Sequence, residues 1–253
     1  GGGGGGGGGD GRKARKPGKA SGWNWVRGTK VEGKYLVKLP HQFAAALKTS
    51  GGGIQVDELV GDVHADTSGG GLRFTKIQGA IKGDTSGGPI KVSDCVGDLK
   101  VDTSGGGIDV SGGSGSLHAD TSGGPITVRD FKGPAHVDTS GGGITLEKVD
   151  GAITASTSGG PIKAQLVAPL AGDVKLDTSG GGVTVAVAET AAFELDAATS
   201  GGGVKSDLAV VTAGKRQHDS LRGTVNGGGK LVKLRTSGGG IRVAKLGDQA
   251  VTR

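Results

Sequence analysis

An acid recurs at one position along most of this chain: Asp66, Asp84, Asp102, Asp120, Asp138 and Asp177. Two residues before each stands a basic or imidazole side chain: His64, Lys82, Lys100, His118, His136 and Lys175. Carboxylates stacked about 5 Å apart repel, so each needs a cation, a hydrogen-bond donor or water beside it. The basic column supplies one answer, and an Asx-turn to backbone N–H groups supplies another. A calcium ladder built on the six aspartates is the third. The repeat, however, lacks the glycine-aspartate nonapeptide of calcium-binding β-rolls. The expectation is a structural column with no metal and no cofactor. His118 and His136 would be neighbours on adjacent rungs and could share a metal, but spacing alone fixes no third ligand.

Serine and threonine are plentiful and suggest hydrolase chemistry only superficially. Catalysis needs one unlike constellation held in a cleft, whereas these residues are duplicated along a regular surface. The chain has no phosphate-binding loop with its lysine, no haem-attachment motif and no paired cysteines for zinc. No residue is therefore expected to be catalytic.

The elements that must position the acid column are legible from the repeat around it. Asp66-Thr67-Ser68-Gly69-Gly70-Gly71 recurs, with its threonine at Thr49, Thr67, Thr85, Thr103, Thr121, Thr139 and Thr157, eighteen apart. Thr178 and Thr199 follow at spacings of twenty-one, and Thr236 carries the last clear copy. Val225-Asn226-Gly227-Gly228-Gly229 reads as a degenerate copy. A strict period of this size means stacked structural units. Ile54, Leu72, Ile90, Ile108, Ile126, Ile144 and Ile162 share one column. Val56, Phe74, Val92, Val110, Val128, Leu146 and Ala164 share the column two residues on. Apolar residues two apart with polar ones between are the period of a strand with one buried face. Each unit thus reads as two short strands and two turns.

The fold class that follows is all-β: a single-stranded parallel β-solenoid of about 18 residues per coil and roughly 10–11 rungs. Glycine marks both turns, at Gly61, Gly79, Gly97, Gly115, Gly133 and Gly151 and in the Ser-Gly-Gly corner. Either positive φ or close backbone approach would require it there. The third corner position alternates Gly71, Pro89, Gly107, Pro125, Gly143, Pro161. That alternation admits a coil of thirty-six residues with two unlike corners, but the histidine column ignores the parity.

Aromatic residues make up only 3% of the 253, while glycine fills 57 positions. A layered fold of this size would hold more large side chains; a narrow column filled rung by rung does not need them. About eleven corners at about 4.8 Å give a rod on the order of 50 Å long. Of the net charge of +6, the first twenty residues hold five bases and one acid, or +4, so basicity belongs mainly to a tail. No apolar run is long enough for a transmembrane segment. The chain opens on glycine and contains no methionine, which fits removal of a secretory leader and points to an extracellular or cell-envelope location. Cys95 falls in an inward column with Leu59, Ile77, Phe131 and Val149 and reads as a small buried hydrophobe.

Three regions emerge: a glycine-rich basic arm over 1–20, an N-terminal cap with its lead-in strand over 21–48, and the solenoid over 49–253, with irregular longer rungs after 165. Segment 205–223 interrupts the period and reads as a projecting loop or a hairpin. A solenoid end exposes an apolar column and unpaired strand edges, so both ends are expected to be covered. The last rung looks poorly capped, which makes Ile241, Val243 and Leu246 candidates for a contact with another copy. Arg12, Lys13, Arg15, Lys16 and Lys19 of the arm, with Trp23, Trp25 and Tyr35 of the cap, complete that set.

The run Leu39-Pro40-x-x-Phe43-x-x-x-Leu47-x-Thr49-Ser50-Gly51-Gly52 leads into Asp-Thr-Ser-Gly-Gly units. Phe193-x-Leu195-x-x-x-Thr199-Ser200-Gly201-Gly202 precedes the final copies. Together these resemble the bacterial adhesin-like β-helix domains, exported or envelope-associated proteins, over about 31–246. The resemblance implies a β-helix fold and a surface setting, through repeat motifs and not catalytic ones. The combined expectation is a non-enzymatic, exported, adhesin-like structural solenoid. It would assemble head-to-tail into a filament or layer as a homo-oligomer or polymer, with no specific nucleic-acid partner. The rival readings are a module for an anionic cell-surface polymer or glycan, and, more remotely, a carbohydrate-active β-helix enzyme.

Overall fold

The computed structural model describes residues 42–212 and 217–247. The described residues all belong to one compact unit. The basic arm, Trp23, Trp25, Tyr35 and most of the expected cap lie outside the described residues.

Eight consecutive coils carry two strands each. They begin with β1 (Ala45–Thr49) and β2 (Ile54–Asp57), β3 (Val63–Thr67) and β4 (Leu72–Thr75), then β5 (Ile81–Thr85) and β6 (Ile90–Ser93). The middle coils are β7 (Leu99–Thr103) and β8 (Ile108–Ser111), β9 (Leu117–Thr121) and β10 (Ile126–Arg129), and β11 (Ala135–Thr139) and β12 (Ile144–Val149). Next come β13 (Ile153–Thr157) and β14 (Ile162–Leu166), then β15 (Val174–Thr178) and β16 (Val183–Val187). Odd strands stack in one parallel sheet and even strands in another. Val63 pairs with Ile81 and Asp66 with Asp84, so the register advances by one repeat per coil. The solenoid therefore has eighteen residues per regular coil, and the thirty-six-residue alternative is excluded. The first coil starts inside the segment expected to be the cap, because Gln42 bridges Val60 and β1 pairs with β3.

The cross-section has three walls where the sequence pattern gives two strands. A third ladder of single bridges runs Gln42–Val60–Gln78–Val96–Ser114–Lys132–Asp150. The residue before the bridge points inward and is buried at Leu59, Ile77, Cys95, Phe131 and Val149. A wall this short shows no alternation in sequence. Its flanking corners are sharp, with φ of 55° at Glu58 and 53° at Asp94 on one side and 141° at Gly61 on the other. Cys95 is buried as expected; its thiol donates to the Ser93 carbonyl at 3.3 Å, and burial pushes its pKa up.

Inward side chains from the walls form one continuous apolar column. Volume is balanced between walls. Phe74 stands where most coils carry Val, and Gly83 faces it; a Cβ on Gly83 would meet the Phe74 ring at 2.9 Å. Interiors packed at this density tolerate such a large-for-small exchange only when both partners change.

The corner threonines are buried and join one coil to the next. Thr103 Oγ1 donates to the Gly88 carbonyl of the preceding coil at 3.0 Å and accepts the Gly106 N–H at 3.2 Å. The same pair of bonds recurs at Thr67, Thr85, Thr121, Thr139 and Thr157. A threonine hydroxyl, not an Asx-turn, closes each corner. Glycine follows because of close approach: a Cβ on Gly106 would lie 2.1 Å from the Gly88 carbonyl oxygen. Of the two reasons that would require glycine at this corner, positive φ is not the operative one.

After β16 the spatial order departs from chain order. The remaining strands are β17 (Phe193–Thr199), β18 (Val204–Ser206), β19 (Ser220–Val225), β20 (Lys230–Thr236) and β21 (Ile241–Lys245). β20 pairs with β15 on one side and β17 on the other, while β21 lies between β16 and β18. The last coil in sequence is thus inserted between two earlier ones. β19 runs antiparallel along β17, so the irregular 205–223 segment contributes an antiparallel edge strand. Val225-Asn226-Gly227-Gly228-Gly229 is not a degenerate solenoid corner. It is a reversal with φ of 48° at Asn226 and 90° at Gly227, tied down by Asn226 Nδ2 donating to the Glu189 and Ala191 carbonyls.

This arrangement overturns the expectation of an open last rung. Ile241 and Val243 are buried between neighbouring coils. Leu246 is 46% exposed, at a turn whose N–H donates to the Val187 carbonyl at 2.7 Å.

Candidate functional site

Odd strands place their residues alternately in and out. In β9, Leu117 and Ala119 enter the core, His118 and Asp120 face outward, and Thr121 turns in at the corner. In-register stacking then converts each outward position into a column. The aspartates Asp66, Asp84, Asp102, Asp120, Asp138 and Asp177, the threonines beside them and the corner serines line one groove along the solenoid axis. All six acids of the expected column are brought together there.

Neutralisation along the groove is uneven. Lys48 reaches across one coil to Asp66 at 2.9 Å, which holds that carboxyl below its usual range and raises the lysine. Lys82 stands 3.7 Å from Asp84. Imidazoles take over further along: His118 Nε2 lies 2.8 Å from Asp120 Oδ2, and His136 Nε2 lies 2.7 Å from Asp138 Oδ2. The two rings are stacked, with centroids 5.0 Å apart and planes 3° from parallel.

Asp102 sits between these regimes. Its carboxylate has no hydrogen bond or ion pair among the described residues, and burial, followed by repulsion from Asp120 and Asp84, pushes it above the ordinary value. One ligand atom each from Asp102, His118 and Asp120 fall within 4.8 Å of one another. The parallel register supplies the third ligand that spacing alone left open, because it brings Asp102 one coil below the histidine.

An in-register stack of short coils with a repeated polar row defines a parallel β-solenoid repeat protein. The model of the Toastrack DUF4097 family matches residues 95–244, more than half of the chain, and the chain belongs to that family. No curated protein and no solved structure matches it. The matched stretch runs from the middle coils through the inserted strand β21. No helix among the described residues is long and apolar enough to cross a membrane.

Proposed function

We propose that this chain is a non-enzymatic structural module of the cell exterior or envelope, acting in an adhesin-like way by presenting one repetitive face. The observation that carries the reading is the groove. Five successive coils, from Asp66 to Asp138, offer the same Asp-Thr-Ser row at a spacing of about 4.8 Å, and Asp177 resumes it after Ser156, so a partner matched to it must itself be extended or repetitive. A reaction site needs unlike groups converging on one atom, which a duplicated row does not provide. Membership of a Toastrack β-solenoid family is consistent with a structural module.

Self-association is the second part of this reading, by a route other than the buried last coil. The arm carries Arg12, Lys13, Arg15, Lys16 and Lys19, and the groove is lined by carboxylates. Opposite charge lets the arm of one copy lie along the groove of another, and an arm-to-groove contact repeats without closing if the geometry is open. The same carboxylates argue against this face as a seat for a polyanion. Light scattering on the full chain and on a variant lacking residues 1–30 tests the idea. Assembly that is lost on truncation and weakened by salt is expected. A full-length chain that stays monomeric at high concentration would overturn it.

A further inference from the structure

We propose that Asp102, His118 and Asp120 form a binding site for a divalent d-block cation of the zinc class. The site does not depend on the assembly reading above. Its donor set is one imidazole nitrogen and two carboxylate oxygens converging from adjacent strands. Mixed nitrogen and oxygen donors suit Zn²⁺, Co²⁺ or Ni²⁺, whereas Ca²⁺ and Mg²⁺ favour oxygen alone. Metal–donor bonds of about 2.0–2.2 Å put ligand atoms of one ion roughly 3–4.4 Å apart. The observed span of 4.8 Å needs only a few tenths of an ångström of closure. His118 and Asp120 are about two-fifths exposed at the side chain and free to make that adjustment.

Geometry groups three donors at this row, and existing lysine contacts distinguish it from the rows at Asp66 and Asp84. At the equivalent His64–Asp66 row, Lys48 already occupies the carboxylate, and at Asp84 a lysine stands nearby. Asp102 pairs in register with Asp84 on one side and Asp120 on the other, and no ion pair among the described residues occupies its carboxylate, which leaves it open to a cation. His118 Nε2 now contacts Asp120 Oδ2; on binding, the metal takes that nitrogen's lone pair, and its proton moves to Nδ1 or to solvent. His136, stacked one coil above, presents the next imidazole on the same side.

The test is titration of the tag-free full chain with Co²⁺, read by visible absorption, and with Zn²⁺, read by calorimetry. One saturable ion per chain is expected. Asp102→Asn and His118→Ala should each weaken binding by about tenfold or more, while His64→Ala leaves it unchanged. Circular dichroism confirms that each variant is folded, and Asp120→Asn serves as a third variant should one of them aggregate. Excess Ca²⁺ should not displace Co²⁺. Absence of saturable uptake would overturn the proposal. So would uptake that persists in both variants, an adventitious ion only, or displacement by Ca²⁺ as effective as by Zn²⁺.

Discussion

Arg235 holds Asp196 twice, at 2.5 Å through the carboxylate and at 2.8 Å through the main-chain carbonyl. Asp196 lies in β17 and Arg235 in β20, so the contact spans the seam where chain order and spatial order part. Arg222 of β19 adds a third bond to the same carboxylate at 2.8 Å. One acid thereby fixes the inserted coil and the antiparallel edge strand together.

Arg235→Ala should destabilise the chain by about 1–3 kcal/mol, the range for losing hydrogen bonds to a charged group, with Arg222 still holding one carboxylate oxygen. Hydrogen exchange should rise in β17, β20 and β21 while β5–β11 stay protected. Unfolding by denaturant together with exchange mass spectrometry checks this. A loss of protection spread evenly over all coils would contradict it.

The pH dependence of this contact follows from the same geometry. Burial raises the Asp196 carboxyl, but the bonds from Arg235 and Arg222 outweigh it and leave the group below its ordinary value. A depressed folded value gives stability that is present above the unfolded value of about 3.9 and lost as pH falls through the folded one. Asp196→Asn should therefore melt lower than the parent at pH 7, and the gap should close in acid. A gap that is constant with pH would disprove the charge-based account.

Thr103→Val should cost about 1–3 kcal/mol, because the Gly88 carbonyl and the Gly106 N–H both lose a buried partner. Thr103→Ser keeps the hydroxyl and should cost clearly less. Chemical denaturation of the two variants side by side decides whether the hydroxyl or the methyl matters.

Corner glycines should differ by location. Gly106→Ala forces a Cβ against the Gly88 carbonyl and should destabilise by at least about 1–3 kcal/mol. Gly51→Ala, with nothing within 4 Å of its Cβ, should be close to neutral. Equal melting temperatures for the two would show that the coils separate freely at the corner.

Asp102→Asn should raise the melting temperature at pH 7 in metal-free buffer. Its carboxyl is held above the ordinary value, so its contribution is favourable below the unfolded value of about 3.9 and is lost as pH rises through the folded one. The gain should vanish near pH 3. A destabilised variant at pH 7 would mean that the ionised carboxylate has a favourable partner.

Much of the regular part was legible because its signal is local. The two apolar columns that run through Leu72 and Phe74 follow from pleat alternation: both residues face in, Arg73 faces out, and the next coil repeats the pattern at Ile90, Lys91 and Val92. The acid column was legible for the same reason, but the convergence of Asp102 on His118 needed the register between coils. The third wall escaped because Val60 and its equivalents are single bridged residues. Its corner at Glu58, Lys76 and Asp94 uses polar residues in the left-handed region, where glycine would have announced it. Rung order escaped for a different reason. Val232, Leu234 and Thr236 fit against Val174, Leu176 and Thr178 in the same register in which they fit Leu195, Ala197 and Thr199. Like rungs are interchangeable, so periodicity cannot rank them. The available clue was Asn226-Gly227, a dipeptide that favours reversal over a parallel turn.

The insertion of β20 and β21 also sets a timing problem for synthesis. While the ribosome has released only the chain up to β18, the template at β15 and β16 is vacant, and β17 presents a matching register of its own. If β17 and β18 dock there first, they must be displaced when the final residues emerge. Loss of the residues after 229 would remove an interior layer of the stack and not its tip, so a short truncation would reach as deep as a core deletion.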